Sequence, residues 1–202
     1  MIVYVESNFV LEVALEQQDA PSAQAILALA EEGKIQLSFP TFALIEPFWT
    51  VRHRGRMRRD LHASLRMQLN QLQRSRQHEK FISILKPVLT TMLEIEKKEM
   101  DLLESTARRL LGVGESIEIN RPIFEQAMKY QRHYDLSPQD SIIYSAVIDD
   151  LQQQTPKRVK CFISRNSKDF GDPDIKSELT SYNCRYIVEF KDGLSFIQSS
   201  LV

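Results

Sequence analysis

The chain has 202 residues, 43% of them hydrophobic and 26% charged, with a formal net charge of -1. Such proportions describe a globular protein with a real core and exclude attraction to nucleic acid by overall charge, so any basic surface must be local. Cys161 and Cys184 are far apart and lack metal-ligand spacing, no apolar run nears the ~18 residues of a membrane span, and no basic leader opens the chain; a cytoplasmic protein is expected.

In chain order, the β-branched run Ile2 to Val5 predicts a short buried strand that ends on a carboxylate, Glu6. Ser7 or Asn8 can then cap a helix carrying Phe9, Val10, Val13 and Ala14. In α/β chains the carboxyl end of the first strand is where ligand sites gather. A second helix follows Pro21, with Ala25, Ile26, Leu29 and Ala30 at helical spacing; Gly33 ends it and Ile35 to Phe39 is a second strand. Pro40 opens a third helix, Thr41 to about Arg54. Its Glu46 lies one turn from Phe42 and Trp49 on a face expected to be buried, where a carboxylate needs a cleft or a cation.

From Arg52 to about Leu111 the texture turns helical and strand-free. Leu61, Leu65, Leu69 and Leu72 recur every three or four residues, and Pro87 divides the stretch into arms near 56–84 and 88–111 that Gly112-Val113-Gly114 closes. The leucine repeat either packs the arms together or offers a surface to a partner protein or a second copy. Arg52, Arg54, Arg56, Arg58 and Arg59, with Arg66, Arg74 and Arg76 beyond, form the most basic region. They suit either a phosphate backbone or a solvated helix face. Glu94, Glu96 and Glu99 with Lys97 and Lys98 read as ordinary surface pairing.

The α/β texture then returns. A helix is expected over Ile123 to Tyr134, and Ser137-Pro138-Gln139-Asp140 has the form of a capping box opening another. Val159 to Ile163 predicts a buried central strand, followed by a loop with Ser164, Asn166 and Asp169. Arg185 to Val188 is a last strand and Leu194 to Leu201 a terminal helix. The pattern implies an α/β fold with a short parallel sheet of about 4–5 strands flanked by helices, plus a long helical hairpin.

Glu6, Glu46, Asp140 and Asp169 thus come from strand ends and helix starts, which a parallel sheet gathers on one rim. Grouped carboxylates repel unless cations neutralise them, and oxygen-only ligands suit Mg²⁺ or Mn²⁺. Such a site supports attack of metal-activated water on a phosphodiester. His53, His62, His78 and His133 show no ligand spacing.

These motifs resemble those of the PIN-domain nucleases, which include the toxin ribonucleases of bacterial toxin–antitoxin pairs. Ile2-Val-Tyr-Val-Glu-Ser-Asn8 is similar to the family's opening strand, with Glu6 in the place of an aspartate. Ala43-Leu-Ile-Glu46 resembles its helical glutamate, Leu136-Ser-Pro-Gln-Asp140 its third acid, and Ser164-Arg-Asn-Ser-Lys-Asp-Phe170 its Thr-Arg-Asn-x-x-Asp-Phe loop. The resemblance implies one PIN-like domain over 1–202, a three-layer sandwich whose core spans roughly 1–55 and 112–202 around a helical insertion at roughly 56–111. It implies a metal-dependent endoribonuclease, with Glu6, Glu46, Asp140 and Asp169 holding Mg²⁺ or Mn²⁺ and Asn8, Ser164 and Asn166 in support. Its substrate would be RNA, single-stranded or structured, contacted by Arg52, Arg54, Arg56, Arg59 and Arg165. An antitoxin-like protein and a second copy of the chain are the partners it admits. The alternative is a PIN-like module that binds RNA or protein and cleaves weakly or not at all, because Glu6 is one methylene longer than aspartate. The insertion is also longer than in short toxin members.

Overall fold

The computed structural model describes residues 1–74 and 76–201, the Arg76 side chain apart. Five short strands form one parallel sheet: β1 (Ile2–Val5), β2 (Gln36–Pro40), β3 (Glu115–Ile117), β4 (Lys160–Ile163) and β5 (Cys184–Ile187), in the order β3-β2-β1-β4-β5. Alternation divides the central strands between two cores. Val3, Val5, Leu37, Phe39, Cys161 and Ile163 face one layer of helices, while Ile2, Tyr4 and Phe162 face the other. Cys161 and Cys184 are buried and free.

Helix α1 (Ser7–Ala14) follows β1 onto the first face, where Phe9 meets Phe190 edge-on. Helix α2 (Ala20–Glu31) ends at Gly33, whose φ of 69° lies in the left-handed region that glycine enters without strain. Pro40 closes β2 rather than opening a helix, and pairs in register with Ile117 of the three-residue edge strand β3, which the sequence reading did not anticipate.

The hairpin differs most from expectation. Helix α3 runs unbroken from Phe42 to Leu72 and α4 from Glu79 to Val113, so the reversal lies at residues 73–78 and Pro87 sits inside a helix. Pro87 is exposed, so water can satisfy the carbonyl it leaves unpaired. Val51, Gly55, Arg58, Leu65, Leu69 and Leu72 recur at coiled-coil spacing, as do Ile82, Leu85, Leu89, Met92, Glu96, Glu99 and Leu103. Leu69, Ile82 and Leu89 close a small cluster near the tip. Midway the seam turns polar: Arg58 grips Glu99 with two hydrogen bonds of 2.5 and 2.7 Å, and Arg59 pairs with Glu96. Gly55 admits this crossing, because a Cβ there would stand 2.6 Å from Glu96 Oε1. Glu96 and Glu99 therefore bind across the hairpin instead of pairing along their own helix.

On the other face, α5 (Arg121–His133), α6 (Pro138–Gln153) and α8 (Pro173–Ser181) pack together, with the short α7 (Ser167–Phe170) leading into α8. The hydroxyls of Tyr130, Tyr144 and Tyr134 donate to the Glu178 carboxylate at 2.5, 2.8 and 3.2 Å, tying these helices to one point. Helix α9 (Phe190–Ser200) returns to the first face. Among the described residues, no helix is long and apolar enough to cross a membrane.

Leu103 is fully buried in the main core, whereas Leu69 belongs to the tip cluster. Leu103→Ala is expected to cost about 2–5 kcal/mol of global stability. Leu69→Ala should instead speed amide exchange near the hairpin tip with little change in the global urea midpoint.

Candidate functional site

The reversal of strand order beside β1 sets the site. Strands β1 and β4 are parallel neighbours, yet the chain leaves β1 for one face of the sheet and β4 for the other. Their carboxyl ends therefore open into a crevice, the usual ligand position in an open parallel sheet. Here Glu6, Asn8, Glu12, Gln17, Glu46, Gln139, Asp140, Arg165 and Asn166 line a cavity of about 410 Å³.

Glu6 is 4% exposed at the end of β1. Its own Oε2 caps α1, accepting the Asn8 N–H at 2.9 Å, so neither Ser7 nor Asn8 is the cap. Its Oε1 is buried without a hydrogen-bond partner. Burial pushes the Glu6 carboxyl up to about 7; the Asn8 N–H opposes the rise, and Glu46 adds to it.

Asp140 sits at the start of α6 as the capping box requires. Its N–H donates to Ser137 Oγ at 3.1 Å, and that hydroxyl donates back to Asp140 Oδ2 at 2.5 Å. Asn166 Nδ2 bridges two acids, donating to Asp140 Oδ1 at 2.9 Å and to Asp169 Oδ2 at 2.7 Å. Desolvation raises the Asp140 carboxyl above its ordinary range, and the charges of Asp169 and Glu46 push the same way. Asp169 does not line the cavity; it stands behind the ring and reaches it through Asn166. Ser164 is fully buried and accepts the Asn166 N–H at 3.1 Å, which shapes the loop after β4.

Glu46 is half-buried on α3. The face it shares with Trp49 is not the buried one, since Trp49 is 67% exposed. It faces the crevice, and Pro47 behind it is buried.

Sequence reasoning missed Glu12. It is 1% exposed on α1, accepts the Asp19 N–H at 2.6 Å and pairs with Arg165 at 2.9 Å. A carboxylate one helical turn after Asn8, among Phe9, Val10 and Val13, was the available signal. The pairing removes Arg165 from the free basic residues, and the Glu96 pair does the same for Arg59. Arg52, Arg54 and Arg56 are exposed and make no ion pair among the described residues.

The cavity thus holds four carboxylates and one guanidinium. With Glu12 answered by Arg165, the carboxyls of Glu6, Glu46 and Asp140 have no ion-pair partner among the described residues. Among the described residues, no three His, Cys, Asp or Glu side chains are grouped closely enough to form a ready-made metal cage. The donor chemistry nevertheless fits a hard divalent ion: the ring offers only oxygen, and Glu6 Oε1 is a buried acceptor with nothing to accept.

The Glu6 carboxyl also ties stability to pH. Because its folded value is raised, it favours the fold below the ordinary carboxylate range, and that contribution is lost as pH rises towards about 7. In chelator, the stability advantage of Glu6→Gln over the unaltered protein is expected to grow by roughly 3 kcal/mol between pH 4 and 8. Urea titrations across that range measure it.

Compared with protein-family models, with curated proteins and with solved structures, the chain matches none.

Proposed function

We propose that this protein is a Mg²⁺- or Mn²⁺-dependent endoribonuclease of PIN type. The observation that supports the reading is the set of three uncompensated carboxylates, Glu6, Glu46 and Asp140, around a cavity at the switch point of a parallel sheet. Strongly acidic crevices of this kind are costly to maintain without a cationic ligand.

Glu6, Glu46 and Asp140 would hold the ion, with Asp169 acting through Asn166. When bound, such an ion supplies Lewis-acid activation of water and neutralises charge on the phosphodiester. The chain's own residues do the rest. Ser137 and Asn166 fix the Asp140 carboxylate from two sides, so its oxygens meet a ligand without reorganising. Glu46 is open to the cavity and can accept a proton from water there. Arg52, Arg54 and Arg56 lie within three turns of Glu46 along α3 and offer charge to an approaching phosphate backbone.

A module that binds RNA without cleaving it is the second reading. What favours it is that Glu6 already spends one oxygen as the cap of α1.

Asp140→Asn is expected to abolish cleavage of a single-stranded RNA and to remove most of the rise in melting temperature that millimolar Mn²⁺ gives the unaltered protein. Unchanged cleavage by a folded Asp140→Asn protein would sink the nuclease assignment. Absence of any Mn²⁺ effect on the unaltered protein would favour the non-cleaving module.

A further inference from the structure

The exposed side of α3 carries an aromatic feature that the acid site does not use. Trp49 is the only tryptophan in the chain and is 67% exposed. Its ring lies parallel to that of His53, with centroids 5.1 Å apart and an interplanar angle of 2°. Trp49 is three residues beyond Glu46 and His53 four further, so acid, indole and imidazole follow one another along one face of a helix. At 67% exposure the indole contributes little to the protein's own core, and its face is open to a ligand.

We infer that Trp49 and His53 form a stacking platform for unpaired bases of a single-stranded RNA that enters the acidic crevice. The inference rests on the proposed reading that the crevice receives RNA, a premise that the cleaving and the non-cleaving module share. Charge favours a polyanion over a protein partner: residues 52–74 contain seven arginines and a single acid, Asp60. Two of those arginines, Arg58 and Arg59, are engaged by Glu99 and Glu96, while Arg52, Arg54 and Arg56, three to seven residues beyond Trp49 on α3, are exposed and make no ion pair among the described residues. An apolar partner would have to bury those guanidinium groups unpaired, at a cost that phosphates avoid. Parallel rings suit bases, whose faces are flat and aromatic, and guanidinium groups beside them suit the linking phosphates. Trp49 follows Glu46 by about one turn of α3, so a base on Trp49 would belong to a strand that passes the crevice. Duplex RNA keeps its bases inside the helix and cannot use the platform.

Because Trp49 is the sole tryptophan, its emission reports on the platform directly. The probes are a twelve-nucleotide oligoadenylate and an RNA duplex of the same length, each titrated into the full chain in EDTA so that nothing is cleaved. The oligoadenylate is expected to quench Trp49 emission saturably and the duplex to leave it unchanged. Trp49→Ala should weaken oligoadenylate binding, followed by anisotropy, about tenfold or more, with Trp49→Phe in between. Equal binding by Trp49→Ala would overturn the proposal, as would binding that leaves the emission of the unaltered protein unchanged. So would protection of Trp49 from iodide that grows with protein concentration in the absence of RNA, which would mark a surface for a second copy. Melting with Mn²⁺ separates this proposal from the nuclease reading. Quenching without Mn²⁺ stabilisation upholds the platform and removes the nuclease, and Mn²⁺ stabilisation without quenching does the reverse.

Discussion

Parallel pairing of β1 with β4 is the constraint on which the rest depends. Val3 and Val5 on one side, and Ile2 and Tyr4 on the other, commit both faces of the central strand to burial, so helices must cover both. With β2 on one flank and β4 on the other, the two outgoing connections diverge to opposite layers. The crevice between them follows from topology before any side chain is considered. What the side chains add is charge: Glu6 from the end of β1, Asp140 from the start of α6 and Glu46 from α3 reach the same cavity from segments far apart in the chain.

Local order at that rim comes from ordinary structural devices that also serve a site. Glu6 caps the helix that follows it, and Ser137 caps the helix on which Asp140 stands. Each carboxylate is thereby held at a helix N-terminus, where backbone N–H groups favour negative charge. The structure stops short of neutralising the group. One arginine is spent on Glu12 at the back of the cavity, and the hairpin consumes Arg58 and Arg59 to fix its own register.

Much of the architecture was legible because it rests on local pattern. The run Ile2 to Val5, the Pro21 helix start and the Ser137 capping box each declare themselves within a few residues. The parts that escaped depend on distant partners. Glu115-Ser-Ile117 is a strand only because β2 offers it an edge, and its composition carries no strand signal. The break expected at Pro87 was wrong because an exposed proline can remain inside a long helix supported by packing, while the true turn at 73–78 has neither proline nor glycine. Helix α8, not anticipated, is built from a polar stretch whose Ile175 and Leu179 are its only buried residues. At the site, the positions of Glu6, Glu46 and Asp140 followed from strand ends and helix starts. The Glu12–Arg165 pair spans 153 residues and no local pattern announces it.

The unbroken course of α3 has a mechanical consequence. The helix is anchored over its first turns, where Ala43, Pro47 and Val51 are buried and Leu44 and Phe48 pack against the main core. Glu46 lies inside that anchored stretch, whereas the hairpin tip near Leu72 is about 30 Å beyond Val51. Bending of the long arm is therefore taken up beyond Val51, and the crevice is shielded from it although one helix carries both.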